Sequence, residues 1–287
     1  MNFIAEFLKM TRFEHAIMYA LAVLIAETIA LGMIPPLDDP AILLSLIVPI
    51  LIEMAAFSLN DYLDIETDRI NNKKTPLVRG TIPPKFALYF SFIAFIASTS
   101  LALFINFTVF IFVILFNILA ILYNWKLKDM PLLGNLFIGL SMAIPFILGN
   151  LVVYPWLLPV PVILSILAFI AGVAREIVKS AEDMKGDVKA RRSKTLPVVI
   201  GEKPAVMAAS VLYLLFIPLT FVPFFVGLDI NLLSLGIIVM ADGVLLGTVI
   251  LLLKKPSPES YKTARKLTLA VFAAGMIAIL IASLSIF

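Results

Sequence analysis

The chain has 287 residues, of which 62% are hydrophobic and 14% charged, with a formal net charge of +3. Soluble domains carry roughly 25% charged residues, so this composition excludes an ordinary water-soluble fold. The absence of cysteine excludes disulfides and thiolate metal sites, and the basic balance is explained by membrane topology rather than by nucleic acid.

In chain order, the segment 2–14 reads as a short interfacial helix with Lys9 and Arg12 on its polar side. The first apolar run, about 15–34, is too long for a signal-peptide core and lacks a small-residue cleavage site, so no cleavable leader is expected. Further spans are expected at about 41–62, 86–104, 107–124, 132–150, 157–180, 203–225, 231–253 and 264–286. Each is long enough to cross the hydrocarbon core, and each must be helical because lipid-facing backbone has to satisfy its own hydrogen bonds.

The expected class is therefore all-α integral membrane: about nine transmembrane helices in one bundle with a central cavity, forming a single polytopic domain over 1–287. All 22 Lys and Arg fall at the N-terminus or near alternate connections: 69–85, 126–128, 175–203 and 254–266. The intervening connections, near Pro35–Pro40, Ile105–Phe107, Leu151–Leu157 and Val226–Asn231, carry none. The positive-inside rule places the N-terminus and the charged connections in the cytoplasm, with Phe287 opposite. The plasma membrane is the expected location.

The second span ends in Asn60-Asp61-Tyr62-Leu63-Asp64-Ile65-Glu66-Thr67-Asp68. Asn60, Asp64 and Asp68 are four apart, so a helix stacks them on one face, with Asp61 on the flank. Carboxylates this close repel one another unless a cation neutralises them, and at a helix C-terminus they also oppose the macrodipole. A hard cation with oxygen ligands, above all Mg²⁺, suits them.

The sixth span ends in a second ladder, Arg175, Lys179, Asp183 and Asp187, again four apart, with Glu182 beside it and Gly186 expected to end or loosen the helix. Intramembrane charges usually line a cavity. One acidic cluster would also suit the ion site of a transporter, although such sites lie near the bilayer midplane at broken helices. Two clusters on one membrane face, each followed by a basic loop, suit a diphosphate held between two Mg²⁺ ions. Candidate phosphate-binding cations are Lys73, Lys74, Arg79, Lys126, Lys128, Arg191, Arg192 and Lys194; positive-inside topology alone also accounts for such residues.

At these residues the chain resembles the UbiA superfamily of intramembrane prenyltransferases. Asn60, Asp61, Asp64 and Asp68 match the family's NDxxDxxxD motif, and Asp183 and Asp187 its DxxxD motif. Tyr123 and Lys128 in Tyr-Asn-Trp-Lys-Leu-Lys, then Gly134-Asn135, and Lys194-Thr195-Leu196-Pro197 are further matches. The wording of 60–71 and 175–197 is closest to members that add a second geranylgeranyl chain to geranylgeranylglyceryl phosphate in archaeal-type ether-lipid synthesis.

The resemblance implies Mg²⁺-dependent prenyl transfer from an isoprenyl diphosphate. Asn60, Asp64, Asp68, Asp183 and Asp187 would hold two Mg²⁺ ions, with Asp61 supporting. Lys128, Arg79 and Arg191 or Arg192 would bind phosphate oxygens, Tyr123 would bond or orient them, and Lys73 and Lys74 are available beside them. Arg175 or Lys179 would serve an acceptor phosphate, and His15 is a candidate general base. Thr75-Pro76-Leu77 stands where many members have Arg-Pro-Leu, so Lys74 or Arg79 is expected to replace that cation. Prenylation of an aromatic ring, such as 4-hydroxybenzoate, is the alternative acceptor chemistry. The sequence leaves the oligomeric state open.

Overall fold

The computed structural model describes residues 3–70, 73–191 and 194–284, with the side chains of 185–187 and 189–191 outside the description. The elements, in order, are α1 (Phe3–Met10), α2 (Phe13–Leu31), α3 (Pro40–Leu63), α4 (Ile65–Ile70), α5 (Pro84–Leu103), α6 (Phe107–Trp125), α7 (Leu133–Val153), α8 (Pro159–Arg191), α9 (Leu196–Ile200), α10 (Glu202–Leu219), α11 (Val222–Val226), α12 (Leu232–Lys254) and α13 (Pro258–Leu284), with a single 3₁₀ turn at Leu127–Asp129. Among the described residues, nine helices are long and apolar enough to cross a membrane, at the positions the hydropathy pattern predicts. The protein is thus a multi-pass, all-helical membrane protein.

Local chemistry explains where the helices start. Asp39 caps α3 by accepting from the Ala41 amide at 2.8 Å, with Pro40 at the first helical position. Asn106 caps α6 through Val109 and also donates to the Leu151 carbonyl, tying two loops together. The ninth span begins at Pro258, earlier than its apolar run, because Ser257 accepts from the Ser260 amide and Pro258 suits a first turn. The hydropathy signal cannot see a polar first turn.

The spans close into a ring. α2, α3, α5, α6 and α7 pack as neighbours around one apolar core, and α8, α10, α12 and α13 around another; α7 packs on α8, and α2 on α13, to join the two sides. Small residues permit that approach. A side chain at Gly149 of α7 would strike the Val23 carbonyl of α2, and one at Gly139 would lie 2.9 Å from the Phe169 carbonyl of α8. Buried polar groups also staple the spans: Ser45 of α3 donates to Glu27 of α2, and Asn117 of α6 donates to Ser98 and Thr99 of α5 at 3.1 and 2.9 Å. Outward faces carry large apolar side chains such as Ile93, Ile96, Val239 and Met240, as a lipid-facing surface requires. Exposed Trp125 ends α6 and exposed Trp156 follows α7, so the two tryptophans mark opposite interfaces.

Between the two sides lies an apolar cavity of about 150 Å³, bounded by α2, α7, α8, α10, α12 and α13. Its lining is hydrocarbon and aromatic except for the Tyr19 hydroxyl and the Thr220–Asp242 pair, which are hydrogen-bonded to each other at 2.9 Å.

Two expectations change. Gly186 does not end its helix: α8 runs unbroken to Arg191. A lone glycine costs about 1 kcal/mol against alanine, less than the strong helix formers around it supply. The N-terminal helix is more than an interfacial rod. It stops at Met10, and Phe7 packs edge-on against Phe86 and Phe90 of α5. Arg12 lies beyond it, in the break before α2.

Candidate active site

The first acidic motif sits where α3 gives way to α4. Asp64 is the C-cap of α3, at φ −99° and ψ 3°. The helical register nonetheless carries through, because the Asp64 amide donates to Asn60 at 2.9 Å and the Asp68 amide to Asp64 at 2.7 Å. The expected stack of Asn60, Asp64 and Asp68 therefore survives a short break. The three carboxylates, Asp61, Asp64 and Asp68, are all buried, and burying an ionised carboxylate is costly unless it is paired.

Each is paired with a different cation. Lys128 Nζ lies 2.5 Å from Asp64, Lys73 Nζ 3.3 Å from Asp68, and Arg12 Nη2 3.6 Å from Asp61. The Lys128 pair is itself largely buried, and burial pushes the ammonium pKa down to about 8, although Asp129 and Asp68 pull it the other way. Asp129 moves up for the same reason, burial. Asn60 donates to Asn124 of α6 at 3.0 Å. Asn60 and Asp64 thus face Asn124 and Lys128, two residues with the same four-residue spacing: a two-rung ladder between helix ends.

Arg12 reaches Asp61 from a backbone at φ 47° and ψ 53°. A left-handed, non-glycine residue costs roughly 1–2 kcal/mol. In return its guanidinium lies 4.1 Å from the centre of the Phe57 ring, one turn before Asp61, and close to the carboxylate. Asp61 Oδ1 remains buried without a hydrogen-bond partner.

α4 packs against α8 and so brings the second motif opposite the first. Asp183 is half-buried on that helix. Lys179 pairs with Glu176 at 2.8 Å rather than with Asp183, and Glu182 pairs with Arg265 of α13 at 2.8 Å, so the four-residue ladder does not form as an internal chain of salt bridges. The side chains of Asp187 and Arg191, and all of Arg192, lie outside the described residues. At Lys128 opens a small polar pocket whose lining includes Tyr123, Asn135, Glu176, Ser180 and Thr195. Tyr123 is held there by stacking on Phe137, centroids 4.4 Å apart, and Asn135 donates to Ser180 at 3.3 Å.

Other candidate cations are placed elsewhere. Arg79 forms an ion pair with Glu6 of α1, which also accepts from Thr81 at 2.8 Å, so this arginine braces α1 against the loop before α5. Lys74 is exposed. Three functional candidates escaped the sequence reading. The sequence pattern puts Arg12 on the polar side of an interfacial helix, Arg265 among the topology charges, and Asn124 only inside the Tyr-Asn-Trp-Lys-Leu-Lys match, with no role of its own. The spacing of Asn124 and Lys128, which matches that of Asn60 and Asp64, was the available signal.

Among the described residues, no three acidic or histidine side chains already converge as a metal cage. The donor set nevertheless fits a hard cation: buried carboxylate oxygens and an amide, with one Asp61 oxygen lacking a hydrogen bond. The groups now holding the other carboxylates, Lys128 and Lys73, are ones that also suit phosphate oxygens.

The UbiA prenyltransferase family profile matches residues 19–273. The chain is 33% identical over 279 residues to digeranylgeranylglyceryl phosphate synthase of Thermococcus kodakarensis, covering 97% of this chain and 98% of the relative. A solved structure described for digeranylgeranylglyceryl phosphate synthase in membranes superposes with a TM-score of 0.77 at 27% identity, covering 99% of this chain and all of that one. A UbiA homologue from Archaeoglobus fulgidus, bound to GPP and Mg²⁺, has the same fold at a TM-score of 0.64 and 18% identity, with 96% and 99% of the two chains covered.

Proposed function

The chain belongs to the UbiA prenyltransferase family, and from that premise we propose that it transfers a geranylgeranyl group from its diphosphate to geranylgeranylglyceryl phosphate, forming an ether and releasing diphosphate. The observation that carries the reading is the row of buried carboxylates, each met by one cation, on elements packed against α8, with a polar pocket at Lys128 and an apolar cavity within the bundle. The relatives' name and their full-length match support the lipid acceptor.

Asn60, Asp64, Asp68 and Asp183, with Asp187 on the same helix, would hold two Mg²⁺ ions, and Asp61 would support them. Bound Mg²⁺ supplies neutralisation of the leaving diphosphate as its charge develops. Lys128 and Lys73 are placed to exchange a carboxylate for a phosphate oxygen, which keeps both partners satisfied once the diphosphate arrives. Lys74, Arg191 and Arg192 are further phosphate contacts in this reading. Tyr123, fixed by Phe137, orients the diphosphate end. The apolar walls keep water from the allylic cation, so the acceptor oxygen rather than water attacks it.

The charge pattern supports a cytoplasmic N-terminus and a cytoplasmic face for the acidic site, in the cell membrane. We read 1–287 as one domain. The test is transfer of labelled geranylgeranyl diphosphate in the presence and absence of Mg²⁺, with geranylgeranylglyceryl phosphate and 4-hydroxybenzoate offered in parallel. Transfer to the glyceryl phosphate that stops on chelation is expected; turnover of the aromatic acid alone would overturn the acceptor.

A further inference from the structure

An acceptor that carries a phosphate brings negative charge toward a site already lined by buried aspartates, so it needs cations of its own. Such cations cluster where the break before α2 meets α8 and α13. Arg12, Arg175, Arg265 and the carboxylate of Glu14 all lie within electrostatic range of His15, and Arg265, Glu176, Tyr19 and Tyr213 within that of Arg175. The helical register sets His15, Arg175 and Arg265 one or two turns from cavity-lining residues. His15 and Tyr19 are four apart on α2, Arg175 and Ala171 four apart on α8, and Arg265 and Phe272 seven apart on α13; Tyr19, Ala171 and Phe272 all line the cavity. Each spacing stacks two side chains on one helix face.

The cations here differ in their partners. Arg12 leans on Asp61 at 3.6 Å, Lys179 is taken by Glu176 at 2.8 Å, and one edge of Arg265 by Glu182 at 2.8 Å. Arg175 has no ion pair among the described residues, and the Nε atoms of Arg175 and Arg265 and Nδ1 of His15 are all buried without a hydrogen-bond partner. A buried guanidinium N–H without an acceptor is costly, and the planar fork of an arginine matches a phosphate. Of the nearby acids, buried Glu53 lies within range of Tyr19 and Arg12, and Glu176, which acts on Arg175, is already paired with Lys179.

We propose that Arg175 and Arg265, with His15 beside them, bind the phosphate of the lipid acceptor, and that the apolar cavity takes the acceptor's hydrocarbon chain. This rests on the reading of the chain as a prenyltransferase with a phosphorylated lipid acceptor. It separates two anion sites: the donor diphosphate among Lys128, Lys73 and the aspartates, and the acceptor phosphate at the Arg175–Arg265 basin.

The experiment uses the full chain in detergent or nanodiscs and measures KM separately for geranylgeranyl diphosphate and for geranylgeranylglyceryl phosphate, in wild type, Arg175→Gln and Arg265→Gln. The acceptor KM should rise about 10- to 100-fold in each variant, while the donor KM stays within about threefold of wild type. Arg175→Lys keeps the charge but loses the fork, so it should fall between wild type and Arg175→Gln; it carries the test if the glutamine variants do not fold. A rise confined to the donor KM would assign the basin to the diphosphate, and unchanged KM values would leave it structural; either overturns the proposal. A wild type that ignores the glyceryl phosphate but prenylates an aromatic acid would instead sink the acceptor reading from which the proposal starts.

Discussion

The acidic end of α3–α4 and the basic basin at Arg175 and Arg265 solve opposite problems. At the acidic end, every buried carboxylate already has a cation from the chain itself: Arg12, Lys128 or Lys73. In the basin, Arg175 lacks such a partner and only one edge of Arg265 is held. A site with internal counter-charges is stable empty and works by exchange. A site without them is left incomplete, and an anionic ligand completes it. The two regions are joined through Arg12, which touches Asp61 and lies in range of His15.

The largest effect expected from breaking this contrast is at the acidic end. Asp64→Ala and Asp183→Ala should each lower kcat by about 10²–10³-fold, as loss of a group that stabilises developing charge does, and chelation should reproduce the loss in wild type. Single-turnover measurements with labelled donor would show it; full activity in either variant would remove that residue from the metal assignment. Next is the internal counter-charge. Lys128→Ala strands a buried carboxylate and should destabilise the empty protein by roughly 3 kcal/mol, whereas adding Asp64→Asn should recover most of that. Denaturation of the single and double variants measures the coupling.

Filling the cavity tests the other region. Gly275 lines it, and a side chain there meets open space, so Gly275→Leu should leave folding intact. The KM for a long-chain acceptor should rise about tenfold, as a loss of roughly 1.4 kcal/mol implies, with a short-chain acceptor much less affected. The smallest effect is expected at Arg79. As a brace to Glu6, its loss in Arg79→Ala should cost about 1 kcal/mol of stability and alter the donor KM by less than about twofold; a larger KM change would return it to the phosphate-binding set.

Much of the fold was legible in the sequence, for one reason. A span has to be apolar over its whole length, so hydropathy finds it wherever it packs, and all nine were found. Polar ends carry no such constraint, which is why α13 begins earlier than expected and α8 passes Gly186. In the site, the i,i+4 spacing of Asn60, Asp64 and Asp68 was readable because backbone bonds hold the register across the break. The partners were not. Lys128 is 64 residues from Asp64, and Arg265 is 83 from Glu182. Arg79, beside the motif in sequence, turned to Glu6 instead.

By itself, then, the sequence determined the class of the molecule, the number of its spans and the residue types at its acidic helix ends, because these follow from hydrophobicity and helical period, which are local. Only the tertiary structure decided which cation meets which carboxylate, that α4 lies against α8, and that Arg175 and Arg265 lie within electrostatic range of each other. Those pairings depend on how α2, α8 and α13 come together, and no spacing along the chain encodes a contact made between distant helices.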